Sequence, residues 1–133
     1  MPAFVTDTHP LIWYATNKHS SLSKEVLRTF EQADTGELLI YIPTVVFWEI
    51  GLLERLGKIH LRDGFGKWST ALLSQTGFEE AVFNLSIVER GLDYNFNDDI
   101  FDAVIVATAL YLDLPLISKD VAISEAGVVN TLW

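Results

Sequence analysis

Two acidic residues lie where a charge is unfavourable, and they are the chain's strongest chemical signal. Glu49 lies in PTVVFWEIGLLERLGKI, where apolar residues surround nearly every side of a predicted helix. Asp102 lies in NDDIFDAVIVATAL, one turn inside an apolar helix. An isolated buried carboxylate is costly unless it is paired, protonated or bound to metal. Both segments are poor in Lys and Arg, so a buried ion pair is a weaker explanation for these two acids.

Three further acids are predicted to lie near these two. Asp7 ends the first predicted strand, Asp120 follows the strand LPLIS, and Asp99 shares a helix face with Asp102. Asp7 and Asp120 could each simply cap a turn or helix, and capping at a helix first turn explains Asp98. In open α/β sheets, however, functional residues gather outside the carboxyl ends of the strands. We therefore expect the acids to meet at one sheet edge.

A cluster of this kind predicts a site for hard divalent cations. Carboxylates held together repel one another unless cations are bound or some of them are protonated. Ligands that are all oxygen, without Cys or clustered His, favour Mg²⁺ or Mn²⁺. These ions suit phosphoryl chemistry, because they activate water and stabilise charge on phosphate. The predicted metal ligands are Asp7, Glu49, Asp99, Asp102 and Asp120.

Alternating strand and helix patterns predict the scaffold that positions these acids. AFVTD, ELLIYIP, EEAVFNL, LPLIS and GVVNTLW are the predicted strands. Residues after Asp7, including His9, are expected to form a loop. Strands that alternate with helices pair in parallel through crossovers. We therefore predict a three-layer α/β/α fold with a mostly parallel central sheet.

Capping signals predict where the helices begin. Ser23 is the expected N-cap of a helix in SLSKEVLRTFEQADTG, and Thr44 that of the helix with Glu49. Ser86 and Glu89 form a predicted capping box. GFGKWSTALLSQTG is also expected to be helical, and the last helix is expected from Asp99 to Leu112.

Composition limits the class of protein. The chain has 133 residues and no cysteine, which excludes disulfides and thiolate metal sites. We expect one domain over residues 1–133, without a secretory signal or membrane span, in the cytoplasm. A net charge of −9 argues against broad adhesion to nucleic acid. That objection is weaker if part of the charge is concentrated at one site and neutralised by cations.

These segments, in this order, resemble the PIN-domain family of metal-dependent nucleases, most closely its VapC-like toxins of toxin–antitoxin pairs. VTDTHPLIWY is similar to the family's opening strand and Asp-Thr-His segment, and FWEIGLLERLGKIHL to its Glu-bearing helix. NDDIFDAVIVATAL resembles the pattern Asp-Pro-Phe-Asp-Arg followed by an apolar helix, and LISKD resembles Thr-x-Asp. The resemblance implies a PIN-like domain in which Asp7, Glu49, Asp102 and Asp120 are catalytic. It also implies Asp99 as a metal ligand and Ser118 as a supporting hydroxyl.

The resemblance further implies an activity and partners. It implies an Mg²⁺- or Mn²⁺-dependent endoribonuclease that cuts RNA such as tRNA or rRNA, forms a homodimer and is inhibited by an antitoxin. An antitoxin of this kind inserts a basic side chain among the acids, and a site without basic neighbours of its own would bind it well. The chain departs from the family pattern at four positions, which are Asn97, Ile100, Ala103 and Ser118. Ala103 replaces an Arg, so a possible phosphate contact is lost.

Three other functions remain as alternatives. A receiver-type signalling domain requires its phosphorylated Asp at the end of a middle strand, but LLIYIPT ends in Pro-Thr. A haloacid-dehalogenase-type phosphatase requires an acid at the position of His9. A PIN-like module that has lost catalysis and only binds partners stays open because of Ala103.

Overall fold

One five-stranded sheet forms the centre of the computed structural model, which describes residues 1–133. Its strands are all parallel and lie in the order β3-β2-β1-β4-β5. The predicted α/β/α architecture is confirmed, and the sheet is parallel throughout rather than mostly parallel. The strands are β1 (Ala3–Thr6), β2 (Leu39–Pro43), β3 (Phe78–Ala81), β4 (Leu116–Ile117) and β5 (Thr131–Leu132).

Seven α-helices flank the sheet. Because helices cover the sheet, its central strands are apolar and fully buried at Val5, Ile40, Ile42, Leu116 and Ile117. None of the helices is long and apolar enough to span a membrane. The helices are α1 (Thr8–Ala15), α2 (Lys24–Asp34), α3 (Thr44–Arg55), α4 (Gly64–Leu73), α5 (Leu85–Gly91), α6 (Ile100–Leu112) and α7 (Val121–Ala126).

The strand order reverses its direction between β1 and β4. Successive strands from β1 to β3 are added on one side of β1, and β4 and β5 lie on the other. The Asp7 amide donates to the carbonyl oxygen of Ile117 at 2.9 Å, which fixes the end of β1 against the end of β4. The carboxyl ends of strands at such a reversal border a crevice that binds ligands in open α/β folds. The topology therefore brings Asp7 beside the residues that follow β4.

Two helices were missed by the sequence prediction. The expected loop after Asp7 is the helix α1, whose Pro10 lies in the first turn, where a missing N–H is tolerated. The helix α7 follows Asp120 directly and has only six residues. Both are too short for an apolar periodicity to stand out in the sequence.

The capping predictions were partly wrong. Ser23 caps α2 as expected. Thr44 does not cap α3: its hydroxyl donates to Glu80 Oε2 at 2.6 Å, and it accepts from the Phe83 amide at 3.3 Å. Asn84, not Ser86, caps α5, because the strand before it ends early. At α3, tertiary contacts therefore engage the Thr44 hydroxyl, and the helix begins without a side-chain cap.

Candidate functional site

All five predicted ligands line one pocket of about 270 Å³ at the carboxyl edge of the sheet. The pocket lies at the reversal between β1 and β4, and it also receives side chains from α1, α3 and α6. Its lining residues are Asp7, Thr8, His9, Pro10, Trp13, Glu49, Asp99, Asp102, Lys119 and Asp120.

Asp7 is buried and is satisfied by hydrogen bonds from two directions. Its Oδ1 accepts from the Thr8 amide at 2.7 Å, and its Oδ2 accepts from the Ser118 hydroxyl at 2.7 Å. Burial raises the pKa of Asp7, and the bonds from Ser118 and Thr8 act in the opposite direction. Ser118 also accepts from the Asp120 amide at 3.1 Å. This hydroxyl therefore links β1 to the loop after β4.

Thr8 connects Asp7 to Glu49, and the sequence prediction missed it. The Thr8 hydroxyl donates to Glu49 Oε1 at 2.7 Å, while its amide binds Asp7. Glu49 is half-buried on α3, and burial raises its pKa; the Thr8 bond and the nearby His9 partly offset this rise. Thr8 is fully buried, so its hydroxyl needs a partner. The only sequence signal was the position of Thr8 directly after the strand-end Asp7, and that position does not reveal the bond to Glu49.

Asp102 is half-buried in the first turn of α6 and has the most perturbed pKa. Burial, the charges of Asp7, Asp99 and Asp120, and a hydrogen bond with Asp120 together raise this pKa to about 8, and burial is the largest of these causes. No hydrogen-bond donor from the protein lowers the pKa of Asp102. Without a cation nearby, the protonated form of Asp102 is therefore favoured to a higher pH than in an ordinary Asp side chain.

Three of the five acids are also the N-caps of the helices that begin at the pocket. Asp7 caps α1, and Asp99 caps α6 by accepting from the Phe101 and Asp102 amides at 2.9 and 3.2 Å. Asp120 caps α7. The positive ends of helix dipoles favour negative charge at such positions. Each capping bond to Asp99 and Asp120 uses only Oδ1, which leaves Oδ2 for a ligand.

Asp98 lies outside this arrangement. It precedes α6 in a left-handed conformation with φ of 61°, and it exchanges two hydrogen bonds with Asn95 at 2.7 and 3.0 Å. The prediction that Asp98 belongs to the helix first turn is wrong, because Asp99 occupies the capping position.

The pocket is not free of basic residues, contrary to the sequence prediction. Lys119 and His9 both line it. The Lys119 ammonium lies 5.8 Å from the ring centroid of Trp13 and 5.7 Å from that of Trp133. His9, expected to orient a loop, is exposed at the start of α1. Lys119 precedes Asp120 and His9 lies two residues after Asp7, but whether their side chains reach the pocket depends on the fold.

The donor set of the pocket fits a hard divalent cation, although its geometry is open. Every acidic ligand offers carboxylate oxygen, which Mg²⁺ and Mn²⁺ prefer. A cation would also relieve the mutual repulsion that raises the pKa of Asp102. No three acidic or His side chains are arranged as a ready coordination shell. Binding an ion therefore requires the carboxylates to move closer together.

Comparisons with known proteins identify the family. The model of the PIN domain matches residues 4–129. No curated protein sequence matches the chain.

Three solved structures show the same fold at low sequence identity. A toxin–antitoxin complex from Klebsiella pneumoniae is 18% identical with a TM-score of 0.62, and covers 97% of this chain and 95% of its own. VapBC2 from Rickettsia felis, bound to a promoter DNA fragment, is 14% identical with a TM-score of 0.68. The match covers 98% of this chain and 97% of that chain. FitAcB from Neisseria gonorrhoeae is 14% identical with a TM-score of 0.58 and coverages of 98% and 96%. On the match over nearly its whole length, the chain belongs to the PIN domain family.

Proposed function

We propose that this protein is a metal-dependent endoribonuclease that hydrolyses RNA phosphodiester bonds, and that it is the toxin of a type II toxin–antitoxin pair. One observation carries the proposal: five carboxylates line a single pocket at the β1/β4 reversal of a PIN-family chain. Helix capping and the hydrogen bonds from Thr8 and Ser118 do not explain why all five acids share one pocket. A cluster that repels itself is expected where a cation is to be bound.

The proposed mechanism assigns a role to each acid. Asp7, Glu49, Asp102 and Asp120 would hold Mg²⁺ or Mn²⁺ as catalytic ligands, and Asp99 would be a further metal ligand. When bound, the ion supplies an activated water and stabilises charge on the phosphate. A carboxylate that holds a metal ion is deprotonated, so Asp102 would be in its charged form when it holds the ion.

Neighbouring hydroxyls orient two of the five acids, Asp7 and Glu49. The bonds from Ser118 to Asp7 and from Thr8 to Glu49 hold these carboxylates toward the pocket. Because Asp7 and Glu49 are already oriented, only the other three carboxylates would need to move when a cation binds.

The proposed protein partner is an antitoxin. The matched structures from Klebsiella pneumoniae and Rickettsia felis are described as a toxin–antitoxin complex and as VapBC2, respectively. An antitoxin arginine inserted among the acids would form strong charge-assisted hydrogen bonds and exclude the metal. The proposed substrate is tRNA or rRNA.

We also propose that the protein forms a homodimer. An apolar groove of about 490 Å³ between α5 and α6 exposes Phe83, Leu92 and Ile100, which are 45%, 81% and 74% exposed. Large exposed apolar side chains on one surface favour association. Light scattering of the parent should give a dimer mass, and Leu92→Glu should give a monomer; a monomeric parent would contradict the proposal.

A cleavage assay tests the nuclease proposal. Purified protein is incubated with total tRNA in Mn²⁺, Mg²⁺ or chelator, beside Asp102→Asn. Asp113→Asn is the matched control, because Asp113 ends the same helix in a left-handed conformation that Asn tolerates. We expect metal-dependent cleavage by the parent and the control, and none by Asp102→Asn. Equal cleavage by Asp102→Asn would contradict the proposal.

A binding module without catalysis is the second candidate function. It is favoured by the open geometry of the acids, no three of which form a ready coordination shell. Ala103, where the family pattern has Arg, is buried and contributes no charge. If the parent binds RNA or Mn²⁺ but cleaves no RNA in either metal, this second function replaces the first.

A further inference from the structure

Lys119 is the only Lys or Arg that lines the acid pocket, and two aromatic rings hold it. Its ammonium lies 5.8 Å from the centroid of Trp13 and 5.7 Å from that of Trp133. The two rings meet edge-on at 6.0 Å. Both rings are half-buried, whereas Lys119 itself is exposed. We call the pair Trp13 and Trp133 the tryptophan clamp.

The backbone around the clamp fixes its geometry. Lys119 follows β4 and Trp133 follows β5, which are adjacent parallel strands. The Ser118 amide donates to the carbonyl oxygen of Leu132 at 3.2 Å. The next residues along the two segments, Lys119 and Trp133, are therefore neighbours. Trp13 reaches the same point from α1. Three separate elements therefore converge on one lysine side chain.

A clamp solves a problem that a lysine creates beside five carboxylates. An unrestrained ammonium would fold onto the acids and compete with a divalent cation for them. The faces of Trp rings attract a cation electrostatically, but they do not accept conventional hydrogen bonds from its N–H groups as a carboxylate oxygen does. The three N–H donors of the ammonium therefore stay available to an anion that enters the pocket.

A phosphate group is the anion that this arrangement suits. The acids alone would repel a polyanionic RNA, so a fixed cation at the rim lowers the barrier to its approach. The family's Arg is absent at Ala103, which lines the neighbouring apolar groove and carries no charge. We propose that Lys119, held by the tryptophan clamp, is the residue that binds a substrate phosphate at the acid pocket. This inference rests on the proposed nuclease function.

The test measures RNA binding and Mn²⁺ binding separately from cleavage. The variants are Lys119→Met, Lys119→Arg and Trp133→Leu. Lys24→Met is the matched control, because Lys24 is exposed at the start of α2 and the change removes the same charge. RNA binding is followed by the anisotropy of a short fluorescein-labelled single-stranded RNA of mixed sequence, with Ca²⁺ in place of Mn²⁺. Mn²⁺ affinity is measured by calorimetry, and cleavage of total tRNA gives kcat and KM.

Opposite effects on the two ligands are the expected signature. Lys119→Met should weaken RNA binding and raise KM by about tenfold, the scale of one charge-assisted hydrogen bond, with a smaller change in kcat. The same variant should bind Mn²⁺ more tightly, because a cation near the ion has been removed. Lys119→Arg should restore most of the RNA affinity. Trp133→Leu should weaken Mn²⁺ binding, because the freed ammonium can reach the carboxylates.

The outcomes separate this inference from the proposed function. If the parent cleaves RNA and Lys119→Met binds RNA like Lys24→Met, the inference is wrong and the nuclease function stands. If the parent binds RNA without cleaving it and Lys119→Met still weakens binding, the nuclease function is wrong and the phosphate contact stands. A parent that neither binds nor cleaves RNA overturns both. Parallel losses of RNA and Mn²⁺ binding in Lys119→Met would indicate a structural role and overturn the inference.

Discussion

Asp7 and Asp102 lie in the same pocket, but the protein accommodates their charges in different ways. Asp7, at the junction of β1 and α1, is buried and accepts hydrogen bonds from Thr8 and Ser118. Asp102, in the first turn of α6, is half-buried among other carboxylates, and its pKa is about 8. Hydrogen bonds to the charged form favour it, whereas like charges oppose it. Asp7 is therefore stabilised by hydrogen bonds within the fold, whereas Asp102 lacks such donors and is the acid whose charge the proposed cation would neutralise.

The largest expected effect is a loss of RNA cleavage in two alanine variants, only one of which should also lose stability. Asp7→Ala and Asp102→Ala should each lower RNA cleavage by about two orders of magnitude or more, as losing a charge-stabilising group does. Only Asp7→Ala should destabilise the protein in chelator, by about 1–3 kcal/mol, because Thr8 and Ser118 lose their acceptor. Urea unfolding and a tRNA cleavage assay measure the two effects.

The exposed Asp93, changed to Ala, is the control for this pair and should alter neither property. If Asp102→Ala unfolds as early as Asp7→Ala in chelator, Asp102 is a structural residue and the distinction between the two acids is lost.

If the folded chain binds Mn²⁺ as proposed and the unfolded chain does not, Mn²⁺ should stabilise the parent by mass action. At 100 times its Kd, a ligand of this kind adds about 2.7 kcal/mol to the free energy of unfolding. Asp102→Asn should gain much less, although its stability in chelator equals or exceeds that of the parent, because repulsion is relieved. Melting curves with and without Mn²⁺ measure both. Equal responses to Mn²⁺ in the two proteins would argue against Asp102 as a ligand.

Stability in chelator should fall as the pH rises. The pKa values of Asp7, Glu49 and Asp102 are raised in the folded protein, that of Asp102 from 3.8 to about 8. Between these two values the folded state binds more protons than the unfolded state, so its advantage is present at low pH and lost toward pH 8. Asp102→Asn should show a shallower decline. Urea titrations across this range test it, and a free energy of unfolding that rises with pH would be the contrary result.

The smallest expected effect comes from Ser118→Ala. Removing this hydroxyl leaves Asp7 with only the Thr8 amide and should lower the free energy of unfolding by about 1 kcal/mol. It should also raise the pKa of Asp7 further and so steepen the decline in stability with pH, which makes Asp7 more like Asp102. Ser74→Ala, at the exposed end of α4, is the control. No difference between the two variants would mean that Ser118 does not support the charge of Asp7.

Local patterns were sufficient to predict the fold class and the acids that meet. Apolar strands alternating with helices imply a parallel sheet covered by helices, and strand-end acids must then share one edge. Glu49 and Asp102 stood out because an acid conflicts with apolar surroundings in any helix. These inferences depend on spacing and residue type alone, and both are present in the sequence.

Only the tertiary structure decided which partners these residues have. Thr8 contacts Glu49 across 41 positions and Ser118 contacts Asp7 across 111, so no local pattern could reveal either bond. The same holds for Lys119, whose ammonium is placed by rings from α1 and the end of β5. A residue's type sets what it is able to bind, but long-range packing determines what lies within its reach. The sequence therefore determined which acids the pocket contains, and the fold determined which of them are stabilised by hydrogen bonds from the protein.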